Sequence, residues 1–339
     1  MDSRAPAHRP NLIVTRTPMR ISFAGGGTDL APYYERDHGA VLSTAIDKYI
    51  WVTVKRHSEV FDEPVRVNYS LTEQVDTVDQ LQNDIARECL RFLHIEPPIY
   101  ISTVGDLPAS TGLGSSSSFA VGLLHALHIY RGERVSAGQL AEEACHIEIE
   151  VLDQPIGRQD QYAAAFGGLN LFTFKPGGAV TVEPQRLPAH TLTELFESLM
   201  LFWTGHQRDS SSVLTEQRAN TPRHVDDLTA IRDQAYELQR ILRGRPSVRD
   251  VGAILHTGWQ LKRRLASAVS NAQIDRWYDL AMAAGACGGK IPGAGNGGFL
   301  LLVVEPEHQP AVCDALAELT VISVRPEVHG SHVLLPLMG

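Results

Sequence analysis

The sequence predicts two domains in which strands and helices interleave, an α+β or α/β architecture. Three observations carry that reading. The chain has 339 residues, and a globular domain takes roughly 150. Hydrophobic residues make up 43% and charged residues 20%, ordinary usage for a packed chain and unlike a disordered or fibrous one. In both halves the apolar pattern switches between a period of two and a period of 3.6, with no internal repeat.

The first half opens on strand-like runs, LIVT, MRISFAG and AVLSTAIDKYIWVTVKR, broken at Gly25 to Gly27 and near Gly39. Further strands are expected over 65–69 and 99–104, with a helix over 80–93 between them. Phe119, Leu123, Leu127 and Tyr130 fall on one helical face directly after a Gly/Ser stretch. Ser136 and Gln139 have capping-box spacing, and Leu140, Ala144, Ile147 and Val151 continue the period, which predicts a helix over 137–152. It stops before Pro155 and Gly157. FGGLNLFTF reads as a strand, and PGGAVTVEPQRLP as a hairpin or linker closing the first domain. Beyond it the pattern predicts a strand over 199–203, helices over 225–242, 248–267 and 272–285, and closing strands in FLLLVVE and VLLPL. The expected division is a loose arm over 1–10, a first domain over 11–190 and a second over 191–339.

Composition narrows the partners. Thirty Lys plus Arg against 39 Asp plus Glu leave a net charge of −9, which disfavours a nucleic-acid binder relying on a global basic field. Any anionic ligand has to be held locally. Cys89, Cys145, Cys287 and Cys313 are too scattered for a disulfide framework and form no CxxC pair, which points to a reducing compartment. The first ten residues carry no apolar run, and the longest such run, 299–304, falls far short of the ~18 residues of a membrane span. The expectation is a soluble cytoplasmic protein, a monomer or homodimer, without nucleic-acid or membrane partners.

Three glycine-bearing segments carry chemistry. In PASTGLGSSSSFAVG, from Pro108, a Gly/Ser loop leads into an amphipathic helix. Glycines let backbone N–H groups converge on one point, and the helix N-terminus adds partial positive charge. Serine hydroxyls supply donors to phosphate oxygens, and one could ligate Mg²⁺. The string is neither a Walker A loop nor a nucleophile elbow. GGKIPGAGNGGFLLLVV contains GxGxxG at Gly293, Gly295 and Gly298, but these glycines precede a strand-like run instead of opening a helix, unlike a dinucleotide fingerprint. A glycine loop closing over a ligand beside Lys290 fits better. In MRISFAGGGTDL, Arg20 precedes the triple glycine, which allows a ligand to approach the backbone at Thr28 and Asp29. Among the carboxylates, Asp160 lies in a loop-like stretch, and periodicity leaves Glu148 and Glu150 equivalent.

Together, PASTGLGSSSS, MRISFAGGGTDL and KIPGAGNGGF resemble, in order, the phosphate, N-terminal and C-terminal motifs of the GHMP superfamily, named after galactokinase, homoserine kinase, mevalonate kinase and phosphomevalonate kinase. GGGTDL, IGRQDQYAAAFGGLN, TGHQR and GKIPGAGNGGF resemble one branch over most of the chain, the bacterial D-glycero-D-manno-heptose 7-phosphate kinases. The resemblance implies an α+β fold with an N-terminal domain like ribosomal protein S5 domain 2 and a ferredoxin-like C-terminal domain. The active site would lie in the cleft between them. It implies an ATP-dependent sugar kinase using Mg²⁺, transferring the γ-phosphoryl group to the anomeric hydroxyl of that heptose phosphate. Pro108, Gly112, Gly114, Ser115, Ser116, Ser117 and Ser118 would meet ATP, and Ser116 and Glu148 the metal. Asp160 would be the catalytic base and Arg20 its orienting cation. Gly26, Gly27, Thr28, Asp29, Gln159, Gly293 and Gly295 would face the acceptor.

Two departures stand out. Galactokinases carry Glu-His where this chain has Gly26 and Gly27, and Asn296 interrupts the heptose-kinase pattern GAGGGG. For the acceptor's own phosphate, Lys48, Arg158, Arg208, Lys262 and Arg263 are candidates, with Arg208 of TGHQR first. The rival readings are a kinase of a fucose-like sugar or another heptose, a catalytically silent relative that binds nucleotide or sugar, and, more distantly, a dinucleotide-dependent dehydrogenase.

Overall fold

A computed structural model describes residues 10–205, 211–244 and 246–338. Of the expected arm, positions 1–9 lie outside the described residues, and Pro10 opens the first strand.

The first sheet is built from β1 (Pro10–Ala24), β2 (Gly39–Arg56), β3 (Val65–Asn68), β4 (Thr72–Val75), β5 (Ile99–Gly105), β6 (Leu169–Phe174) and β7 (Val180–Pro184). β1 and β2 run antiparallel with Arg20 opposite Ala45, and the register shifts between Ser22 and Ala24, where the glycine turn begins. β2 is a single strand because its first part is buried on both faces while the second alternates, as its sequence does. β6 pairs with the first part of β2 and β5 with the second.

Helix Ser115–Arg131 packs on β1 and β2. Phe119, Leu123 and Leu127 are buried as their spacing predicts. Gly122 allows the close approach: a Cβ there would sit 2.6 Å from Thr17 Oγ1, and Thr15 Oγ1 donates to its carbonyl at 2.9 Å.

The second sheet runs β11-β8-β10-β9, all antiparallel, with β8 Leu199–Trp203, β9 Ala286–Lys290, β10 Phe299–Val304 and β11 Thr320–Ile322. Every residue of β10 is buried: Phe299, Leu301 and Val303 join the main core, while Leu300, Leu302 and Val304 join a second one. Burial on both faces explains the unbroken apolar run. Helices Val225–Arg243, Val248–Lys262 and Ala272–Ala283 occupy the expected positions, the second ending five residues before the expected 267.

The last strand, β12 (His332–Met338), does not join β10. It pairs with β1, so the chain's described end returns to the first sheet and closes its edge.

Candidate active site

A cavity of about 680 Å³ opens where the two sheets' loops and helices face each other. Its walls include Arg20, Asp29, Ser116 and Asp160 from the first half and Lys262 and Lys290 from the second.

The Gly/Ser loop forms one wall. Gly112 and Gly114 both have φ +79°, and Gly114 caps helix Ser115–Arg131 with no side chain on its first N–H groups. Those amides are free to meet an anion at the positive end of a 17-residue helix. Ser115, Ser116 and Ser117 line the cavity. Pro108 and Ser118 do not: the Ser118 hydroxyl turns inward to Pro18 and Gly114 carbonyls at 2.8 and 3.0 Å.

The C-terminal glycine loop packs directly on this wall. A Cβ on Gly293 would sit 2.6 Å from Gly112 Cα, and one on Gly298 2.2 Å from the Thr111 carbonyl. Backbone thus meets backbone across the two halves, which only glycine permits. Gly295 lies against Val269 instead. Asn296 has φ +64° and donates its amide to Val269 O at 2.7 Å. Asparagine tolerates this left-handed conformation better than other side chains, so the interrupted motif keeps its shape.

Arg20 is 3% exposed. Its guanidinium donates to both Asp160 oxygens at 2.8 Å and to Gly112 O at 2.5 Å, joining the carboxylate to the loop. Asp160 sits in the first turn of helix Gln159–Phe166, not in a loop.

Glu148 is completely buried behind the exposed Ser116. Ser116 Oγ donates to one of its oxygens and Gln161 Nε2 to the other, each at 2.7 Å. Burial pushes Glu148 up to about 7, against the pull of hydrogen bonds from Ser116, Ser117 and Gln161, and the Asp160 charge pushes further. A hydroxyl and a carboxylate at this spacing form an oxygen donor set suited to a hard divalent cation.

Asp29 is 2% exposed and accepts from Gly27 N at 2.9 Å and Gln159 N at 3.3 Å. Burial is the first cause of its raised pKa and the Asp160 charge the second. Gly157, expected only as a helix stop, makes room: a Cβ there would sit 2.0 Å from Asp29 Oδ2. Gly26, Gly27 and Gln159 line the cavity, and the Gln159 Oε1 and Ser22 Oγ atoms are buried without partners. Thr28 does not line it, because its hydroxyl is bonded to Gly25 O and Ala40 O at 2.7 and 3.1 Å.

Of the five anion candidates, Lys262 lines the cavity. Lys48 pairs with Asp47, Arg158 with Glu142, and Arg263 with Asp275. Arg208 lies outside the described residues.

A carboxylate fixed by a guanidinium, an uncapped glycine-fronted helix and a hard-cation donor set are the parts phosphoryl transfer needs. Residues 78–168 match the GHMP kinases N terminal domain, and residues 235–321 match GHMP kinases C terminal. The chain is a GHMP kinase. It is similar to the D-glycero-alpha-D-manno-heptose 7-phosphate kinase of Campylobacter jejuni, 30% identical over 318 residues covering 90% of this chain and 93% of that one. An L-fucokinase/L-fucose-1-P guanylyltransferase of Bacteroides fragilis is 26% identical over 88% of this chain and 35% of its own length. Among solved structures, a D-glycero-D-manno-heptose 1-phosphate kinase from Bacteroides thetaiotaomicron has a TM-score of 0.78 at 26% identity, covering 95% and 99% of the two chains. This GHMP kinase is therefore an ATP-dependent carbohydrate kinase with a two-domain α+β fold. No helix among its described residues is long and apolar enough to cross a membrane.

Proposed function

We propose that this GHMP kinase transfers the γ-phosphoryl group of ATP to the anomeric hydroxyl of D-glycero-D-manno-heptose 7-phosphate. The observation that carries the chemistry is the Arg20–Asp160 pair, two 2.8 Å hydrogen bonds facing the glycine-fronted helix across one cavity. The choice of acceptor is supported by two relatives named for heptose phosphates.

The uncapped amides of Ser115, Ser116 and Ser117 hold the nucleotide phosphates at the helix N-terminus. Ser116 Oγ and Glu148 would hold Mg²⁺, which neutralises charge on phosphate oxygens when bound. Asp160 accepts a hydrogen bond from the anomeric hydroxyl and takes its proton as the new O–P bond forms and the bridging bond to the β-phosphate breaks. Arg20 keeps both Asp160 oxygens aimed and faces the charge that spreads over the transferred group. Asp29 and Gln159 orient the sugar hydroxyls.

The test is a coupled assay of ATP consumption with the heptose 7-phosphate and Mg²⁺, followed by phosphorus NMR of the product. The 1,7-bisphosphate is the expected product. Turnover on L-fucose instead, or on no sugar of a panel, overturns the assignment.

A further inference from the structure

Two lysines in the cavity form no ion pair with any described residue. Lys262 ends helix Val248–Lys262 and Lys290 ends β9, and both are buried, at 9% and 7% exposure. Lys290 Nζ donates to Phe23 O at 3.1 Å, and Lys262 Nζ donates to Ile291 O at 3.2 Å and to Gly293 O. Among the described residues Lys48 is the one lysine in an ion pair. Burial without an anion disfavours the charged form of each, and Arg20 is already bonded to Asp160 and Gly112. No described carboxylate pairs with either lysine, which leaves both side chains open to an anion in the cavity.

The surroundings say which end of the cavity this is. Lys290 is anchored on Phe23, immediately before the turn Gly25 to Gly27 that carries Asp29. Asp29 is the carboxylate whose charge acts on Lys262. Glu148 lies instead against Ser116 and Gln161, each at 2.7 Å.

We propose, on the sugar phosphate kinase reading above, that Lys262 and Lys290 form the subsite for the phosphate the acceptor already carries, a monoester dianion held on the Asp29 side of the cavity. A sugar without that phosphate leaves both ammonium groups buried and unpaired, so the pair selects for phosphorylated acceptors.

The test compares the heptose 7-phosphate with the same heptose lacking phosphate, at saturating ATP, in the full chain and in its Lys262→Met and Lys290→Met variants. The unaltered chain is expected to prefer the phosphorylated sugar in kcat/KM by about 10²-fold or more. Each variant loses at least about tenfold of that preference, through the KM of the sugar, while the KM for ATP stays within about twofold. Inorganic phosphate supplies a readout that does not depend on the variants folding well. In the unaltered chain it competes with the phosphorylated sugar and not with ATP. Competition with ATP, or a variant whose KM rises for ATP instead of the sugar, assigns the lysines to the nucleotide and overturns the proposal. Equal use of both sugars by the unaltered chain also overturns it. Turnover of neither heptose sinks the functional reading instead; phosphate competition is then read against whichever panel sugar is phosphorylated, with the same two outcomes.

Discussion

Arg20 holds both carboxylate oxygens of Asp160 at 2.8 Å, across 140 residues of chain. The bidentate fork fixes the carboxylate's plane, and the third guanidinium contact, to Gly112 O, ties that plane to the glycine loop. Position is therefore set before any substrate arrives.

Asp160→Asn keeps the shape but removes the proton acceptor and one half of the ion pair. We expect kcat to fall by roughly 10²-fold or more, with the ATP dissociation constant within about twofold. Steady-state kinetics and nucleotide titration check both numbers. Near-normal turnover would remove Asp160 from the reaction.

Glu148 gives a pH signature in the protein alone. Its folded pKa is held at about 7, above the ordinary 4.5, so between these values the folded state binds the extra proton. Its contribution to stability is fully present below about 4.5 and is lost as pH rises toward 7. Without metal, thermal melts should show wild-type stability falling over that window relative to Glu148→Gln, with the difference levelling above it. A constant difference across the window would show that Glu148 does not carry the shift.

How much of this was legible in the sequence depended on whether side-chain period survived into the fold. The helix behind the Gly/Ser loop was visible because Phe119, Leu123 and Leu127 face the core at regular spacing. The next helix was visible too, and Ser136 caps it by accepting from Gln139 N at 3.1 Å. Its end was not: after Cys145 the chain continues as a π-helix over His146–Val151. That change of phase buries Glu148 and leaves Glu150 exposed with His146, a choice that a 3.6 period cannot make. The helix carrying Asp160 was missed because QDQYAAAF has neither a capping side chain nor an apolar stripe. β9 was hidden by its glycines: Gly288 lets helix Val248–Lys262 press on it, where a Cβ would sit 2.0 Å from Gly252 O, and Gly289 lies against β10, where a Cβ would sit 2.3 Å from Leu301 O. Lys290, expected beside a ligand-closing glycine loop, does line the cavity, although the strand that ends on it was not expected.

Lys262 should impose a pH limit on the use of a phosphorylated acceptor. Burial pushes it down to about 7, the Arg20 charge pushes it the same way, and Asp29 opposes them. Lys290, also facing it, is itself held well below the usual lysine range by burial, Lys262 and Arg20. Above pH 7 an empty site has a neutral Lys262, and binding a phosphate dianion requires it to take up a proton. The KM for the sugar phosphate should then rise by up to about tenfold per pH unit, although the phosphate itself is already a dianion. Lys262→Met should flatten that rise. A KM independent of pH from 7 to 9 in the unaltered chain would contradict the assignment.

Asn296 tests whether the C-terminal loop needs a conformation or a particular residue. At φ +64° it occupies the left-handed region, its amide bonded to Val269 O and its side-chain oxygen accepting from Asn271 Nδ2 at 3.4 Å. Glycine reaches that φ freely, so Asn296→Gly should keep activity within about twofold and cost only a few tenths of a kcal/mol. A β-branched residue cannot reach it without strain, and Asn296→Val should cost about 1–3 kcal/mol in thermal or urea unfolding. Because Gly293 of the same loop lies against Gly112, a displaced loop should also raise the KM for ATP. If Asn296→Val unfolds like the unaltered chain, backbone conformation is not what this position contributes, and the side chain's contacts must account for its presence.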